Sequence, residues 1–191
     1  CQNGFRKERS TVDHLSSLSL IIETRKKKRL STFTAFIDFR KAYDRIDRGI
    51  LFRKLGQYGV TGKLLAAIKS IYQDVKSCVR INGLKTDWFD INCGLKQGCL
   101  LSPLLFNLYI NDLITKLNCL CVGIDLVGEK VCALLYADDL VLMAETATDL
   151  QLLLDTLYTW TMSNRMAINC DKSSIVHFRP PSTVRTSYVF K

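Results

Sequence analysis

Residues 132–144 read CALLYADDLVLMA, with two adjacent aspartates, Asp138 and Asp139, set into an otherwise apolar run. Burying one carboxylate in such a run is costly, and burying two neighbours of like charge costs more. A pattern of strand, two residues, strand removes the burial problem: the apolar strands go inside and the aspartates protrude at the hairpin tip. Their repulsion remains. The pair either marks a polar turn or is meant to hold a cation.

A second apolar strand, STFTAFID at 31–38, also ends on a carboxylate, Asp38. If the two strands are neighbours in one sheet, Asp38 joins Asp138 and Asp139 at one edge. Three carboxylates together repel strongly unless divalent cations neutralise them, and Mg²⁺ prefers such oxygen ligands. Two ions about 3.5–4 Å apart can clamp the attacking and leaving oxygens of a phosphoryl transfer. Arg40 and Lys41 follow Asp38, Ala42 permits close approach, and Tyr43 is either a flat ring beside a bound sugar or an ordinary core aromatic. The run GLKQGCLLSPLLFN at 94–107 is a glycine-containing loop leading into a helix, with Gln97 and Gly98 just before it. Backbone N–H groups at such a helix start attract phosphate, and a Gln amide can hydrogen-bond a base or sugar.

Around these stretches the pattern predicts helices over 10–29, 48–58, 62–73, 101–117 and 146–165. It predicts strands over 119–127, 131–136, 140–144 and 174–178. Asn82-Gly83 between β-prone stretches signals a hairpin. Helices mixed with antiparallel hairpins make the class α+β, an antiparallel sheet with helices on one face. The chain has 191 residues and 48% hydrophobic content, which indicates a globular unit rather than a disordered one. No apolar stretch reaches membrane-spanning length, so no membrane partner is expected.

Charge is uneven. Residues 1–95 carry 19 Lys/Arg against 9 Asp/Glu, and residues 96–191 carry 8 against 9. The basic first half fits a polyanionic partner or a well-solvated surface. The run Arg25 to Arg29 opposes the dipole at a helix C-terminus, and its plainest reading is a solvated helix end. Eight cysteines show no CxxC pair and no histidine beside a cysteine cluster, which argues against zinc and disulfides and for a reducing compartment.

FIDFRKAYD (36–44), GLKQGCLLSPLLFN (94–107) and YADD (136–139), in this order, resemble the palm motifs of reverse transcriptases. The likeness is greatest to non-LTR (LINE-type) retrotransposon enzymes, then to group II intron enzymes. QNGFRKERSTVDH (2–14) resembles the last fingers segment before the palm, and NRMAINCDKSSIVHF (164–178) the block after the paired aspartates. The resemblance implies a polymerase-type palm with part of the fingers: residues 1–30 as the end of the fingers, 31–191 as palm, and no thumb.

It further implies an RNA-directed DNA polymerase acting on an RNA template, a DNA primer and deoxynucleoside triphosphates, with two Mg²⁺ ions (Mn²⁺ an alternative). Asp38, Asp138 and the carbonyl of Phe39 would be metal ligands, with Asp139 more peripheral. Arg40, Lys41 and Ala42 would meet the triphosphate, the N–H groups of Lys41 and Ala42 directly, and Tyr43 would be the gate against a 2′-OH. Gln97 and Gly98 would touch nucleotide and template. Lys172 would either donate a proton to pyrophosphate or be a solvated turn lysine. Glu8 departs from the family, which usually has Gly there. The chain is expected to be a piece of a longer polyprotein, without earlier fingers motifs, thumb or endonuclease, and poorly active alone. The alternatives are a catalytically inactive retroelement remnant acting at most as an RNA-binding module, and an unrelated metal-dependent phosphohydrolase.

Overall fold

The computed structural model describes residues 2–6 and 8–191. Helix α1 (Thr11–Lys27) starts where the Asp13 carboxylate accepts the Ser10 N–H at 2.7 Å. Strand β1 (Thr32–Asp38) follows, then helices α2 (Arg48–Gln57) and α3 (Gly62–Ile71). The Asp47 side chain caps α2 by accepting from the Ile50 N–H, one of the orphan donors of a helix start. Next come the short strands β2 (Lys76–Ser77), β3 (Arg80–Ile81), β4 (Leu84–Lys85) and β5 (Phe89–Asp90). Ile81 pairs with Leu84 across Asn82 and Gly83, both at positive φ, as the Asn-Gly signal predicts.

Helix α4 (Ser102–Asn118) has Pro103 in its first turn, where a missing N–H is harmless. Strands β6 (Ile124–Leu126), β7 (Glu129–Val131), β8 (Ala133–Tyr136) and β9 (Asp139–Ala144) lead to helix α5 (Ala147–Ser163) and strand β10 (Ser174–Phe178). The strand expected over 119–127 is confined to Ile124–Leu126. Cys119 and Leu120 close the end of α4, and Cys121, at φ 54°, leaves the extended region. The strand expected over 131–136 divides, because Val131 pairs back to Ile124 while Ala133 to Tyr136 join the main sheet.

That sheet is fully antiparallel in the order β10-β1-β9-β8, so β1 and β9 are neighbours. Alternation sends Phe33, Ala35, Ile37, Leu135, Leu140, Leu142 and Ala144 to one face, where they pack on α4 and α5. Burial of the Phe, Ile and Leu side chains among them contributes about 1.5–3 kcal/mol each. The opposite face is partly covered by α1: Ile21 and Leu18 meet Leu134, Val141 and Met143. Helices therefore lie on one face of the sheet as expected, and α1 adds a partial cover to the other.

Two buried cations tie these layers together. Lys54 of α2 donates to the Tyr109 carbonyl at 2.6 Å and to Asp112 at 2.7 Å, and the Trp160 indole donates to the same Asp112 oxygen. Arg25 of α1 is 7% exposed and binds Glu145, Thr32 and the Ser31 carbonyl. Arg25 is thus a structural strut rather than part of a solvated helix end, while Lys26, Lys27, Lys28 and Arg29 are exposed. Among the described residues, no helix is long and apolar enough to cross a membrane.

Candidate active site

The register of β1 and β9 pairs Asp38 with Asp139, and that of β8 and β9 pairs Tyr136 with Asp139. Directly paired residues point to the same face, so the Asp38 and Asp139 side chains share the face turned away from α4 and α5. The hairpin tip is Ala137-Asp138, one residue earlier than expected. Asp138 sits half-buried in the turn, whereas Asp139 is the exposed first residue of β9. The slip follows from Ala137, which takes φ 53° and so forms the turn position usually left to Gly or Asn.

Asp38 is fixed from several sides by the segment before β10. Its Oδ2 accepts from the Asn169 amide at 3.0 Å, its carbonyl accepts from the Asn169 N–H at 2.8 Å, and its N–H donates to the Ser173 hydroxyl. Phe39 then bridges to Ile168, and the Arg40 N–H donates to Ala167. Burial pushes the Asp139 carboxyl up, and the charges of Asp138 and then Asp38 push it further. Among the described residues, none of the three carboxylates belongs to an ion pair. Among those residues no cation neutralises them directly.

A recess of about 260 Å³ is lined by Asp38, Asp139, Phe36, Val141 and Lys172, so Lys172 faces the same space as two of the carboxylates. A second cavity of about 440 Å³ is lined by Tyr43, Phe5, Gln97, Gly98 and Leu100. The Tyr43 ring stacks on Phe106 at 4.7 Å and meets Phe5 edge-on. Burial, and then the Asp138 charge, pushes its phenol up to about 12, so the hydroxyl stays neutral. Asp138 is thus electrostatically coupled to both Asp139 and Tyr43.

Phe39 and Ala42 are buried, whereas Arg40 and Lys41 are exposed. Among the described residues, the N–H groups of Lys41 and Ala42 find no protein acceptor, which leaves two donors in the turn after β1. The Gln97 amide donates to Asp44 at 3.1 Å, joining the glycine loop to that same turn. Gly98 has φ 83°, a conformation that needs no Cβ. Arg48 holds the approach to this loop by donating to the carbonyls of Tyr72, Ile91, Cys93 and Gly94. Sequence reading missed Asn169 and Ser173, whose only signal was the block NRMAINCDKSSIVHF around them.

Among the described residues, no three acidic, histidine or cysteine side chains converge into a ready metal cage. The donor set nevertheless fits a hard divalent cation: oxygen ligands only, at one sheet edge, with like charges that the protein leaves unpaired.

The family model for reverse transcriptase (RNA-dependent DNA polymerase) matches residues 1–188. The Pol polyprotein of the type-1 R2 retrotransposable element of Popillia japonica is 28% identical over 87% of this chain. The RNA-directed DNA polymerase of the mobile element jockey of Drosophila funebris is 28% identical over 93% of it. The chain spans 28% and 19% of those two relatives. Among solved structures, telomerase from Candida tropicalis with a fragment of telomeric RNA aligns with a TM-score of 0.70 at 14% identity, covering 98% of this chain and 32% of that one. At that identity the likeness concerns the fold, which is that of a reverse transcriptase palm.

Proposed function

The chain belongs to the reverse transcriptase family, and from that premise we propose that it carries the polymerase centre of a non-LTR retrotransposon enzyme. The reaction is RNA-templated addition of deoxynucleotides to a DNA primer. One observation carries it: Asp38 and Asp139 are cross-strand partners, with Asp138 beside them in the turn. We read residues 1–30 as the end of the fingers and 31–191 as palm, working in a nuclear or cytoplasmic setting.

Asp38, Asp138, Asp139 and the Phe39 carbonyl would hold two Mg²⁺ ions. When bound, such ions lower the pKa of the primer 3′-hydroxyl and stabilise charge on the leaving pyrophosphate. The chain's own residues do the positioning. The N–H groups of Lys41 and Ala42 receive triphosphate oxygens, with Arg40 and the Lys41 side chain adding positive charge. The Tyr43 ring, braced on Phe106, crowds a 2′-OH. Gln97 and Gly98 line the cavity in which nucleotide and template meet. Lys172, on the carboxylate recess, gives a proton to pyrophosphate. The basic first half grips the nucleic-acid backbone, so binding weakens steeply with salt.

The test is Mg²⁺-dependent extension of a DNA primer on an RNA template by the chain expressed together with its upstream and downstream coding sequence, with Asp138→Asn as the control. Extension by the wild type that the variant loses supports the reading. Equal signal from both would replace it with a catalytically silent RNA-binding module.

A further inference from the structure

The turn that carries Asp138 is held from 135 residues away. Residues Gln2 to Gly4 run beside the end of β8: Gln2 bridges Leu135 in parallel, and the Asn3 N–H donates to the Leu135 carbonyl at 2.9 Å. From there the Gln2 side chain reaches past the end of the strand. Its Nε2 donates to the Ala137 carbonyl at 3.1 Å, and its Oε1 accepts the Ala137 N–H at 3.0 Å. One amide thus satisfies both backbone groups of Ala137, as a neighbouring peptide would. Ala137 is 7% exposed and sits at φ 53°, which L-residues rarely hold without outside support.

The clamp is itself anchored. The same Oε1 accepts the Gly4 N–H at 2.7 Å, and the Gly4 carbonyl accepts from the Asn107 amide of α4 at 2.8 Å. Gly4 lies so close to the turn that a Cβ there would sit 2.2 Å from the Ala137 nitrogen. The Gly is therefore set by contact, and Gln2 by having an acceptor and a donor on one planar group.

We propose that Gln2 is a positioning residue for the polymerase centre: its amide fixes the Ala137 peptide, and through it the aim of the Asp138 carboxylate toward a divalent cation. Gln2 touches no reacting atom. The inference rests on the metal-binding reading of Asp138 above, but the clamp on the turn can be measured without it.

The experiment compares wild type, Gln2→Ala, Gln2→Glu, Gly4→Ala and Asp138→Asn in two measurements: site-resolved amide hydrogen exchange without metal, and Mn²⁺ binding by electron paramagnetic resonance. Gln2→Glu keeps the size but cannot donate to the Ala137 carbonyl when ionised. Loss of both hydrogen bonds should speed exchange at Tyr136–Asp139 about tenfold in Gln2→Ala, and less in Gln2→Glu, whose carboxylate can still accept the Ala137 N–H, while Leu140–Ala144 and α5 are unchanged. Mn²⁺ affinity should fall about tenfold in Gln2→Ala, the size of effect seen for groups that orient metal ligands. Gly4→Ala should reproduce both changes with Gln2 intact.

Exchange at the turn that is unchanged, or that rises equally through β9 and α5, overturns the clamp. Mn²⁺ affinity unchanged in Gln2→Ala but lost in Asp138→Asn overturns the positioning role. Wild type that takes up no Mn²⁺ overturns the metal-binding reading and the positioning role with it, leaving exchange to decide the clamp.

Discussion

Asp38 and Asp139 face each other across β1 and β9, and among the described residues neither forms an ion pair. Burial, then the charge of Asp138 and last that of Asp38, raise the Asp139 carboxyl. Because the folded value lies above the ordinary 3.8, the native state binds its proton more tightly than the unfolded chain does. Stability therefore falls as pH rises through the window from 3.8 to the raised value, and the penalty persists at neutral pH. Asp139→Asn should melt higher than wild type at pH 7 without metal. Solvent screening at this exposed residue keeps the gain below about 1 kcal/mol. Mg²⁺ should raise the melting point of the wild type more than that of Asp139→Asn. Melts from pH 3.5 to 7, with and without Mg²⁺, measure both, and a variant no more stable than wild type at pH 7 would count against an uncompensated site.

The basic run at the end of α1 divides into two roles. Arg25 is buried against Glu145, which also accepts the Asp125 N–H and lies 3.8 Å from Lys130, so Arg25→Ala leaves that carboxylate other partners and should cost about 2 kcal/mol in denaturant unfolding. Lys26, Lys27 and Lys28 are exposed, and each change to Ala should alter stability by less than about 0.5 kcal/mol. If these lysines meet nucleic-acid phosphates, removing all three should lower the slope of log affinity against log salt by about 2–3 in RNA-binding titrations. An unchanged slope would assign them to solvent.

Much of this was legible in the chain. Period and capping located α1, α4 and α5, because an apolar face or stripe leaves its mark on the sequence over a dozen residues. The adjacency of β1 and β9 was a topological conjecture that two separated Asp-terminated strands suggested and the register bears out. The tip of the hairpin that carries Asp138 was displaced by one residue. Local turn preferences assign positive φ to Gly, Asn or Asp, and they could not anticipate an Ala supported by a glutamine at the far end of the chain. Asn169 was equally hidden, since a loop amide bonded to Asp38 has no periodicity to announce it. Arg25 was misread because sequence shows a charge run, while burial depends on which helix face meets the sheet.

The Glu8 backbone takes φ 59°. A left-handed conformation costs an L-residue roughly 1–2 kcal/mol, from which the extra unfolded-state freedom of Gly must be subtracted. Glu8→Gly should therefore stabilise by about 0.5–1 kcal/mol in urea unfolding, and a loss of stability would mean that the Glu8 side chain makes compensating contacts.

Among the described residues, the buried Tyr43 hydroxyl finds no hydrogen-bond partner, although its ring is stacked on Phe106. Tyr43→Phe removes the unsatisfied group and keeps the stack, so it should be neutral or gain about 1 kcal/mol. Tyr43→Ala loses the ring and should cost about 3 kcal/mol. If the ring itself is the gate, Tyr43→Phe should still exclude ribonucleotides in extension assays, and ribonucleotide incorporation by that variant would shift the role to the hydroxyl.

Asn169 holds Asp38 twice, by its side-chain amide at 3.0 Å and its backbone N–H at 2.8 Å. Asn169→Ala keeps the backbone bond and removes the amide donor, for a stability loss of about 1–2 kcal/mol. Its Mn²⁺ affinity should drop about tenfold, because Asp38 is then free to turn. Asn169→Asp has nearly the same shape but sets one carboxylate against another. Two such groups share a proton at low pH and repel once both ionise, so at least one carboxyl is raised relative to the unfolded chain. The native state then holds more protons, and stability must fall as pH rises from about 4 toward neutrality. Urea unfolding of wild type and both variants at pH 4.5 and 7.5 reads this directly. Asn169→Asp should lie closer to wild type at the lower pH and well below it at the higher one. A pH-independent deficit would mean that Asn169 supports the loop without touching the charge of Asp38.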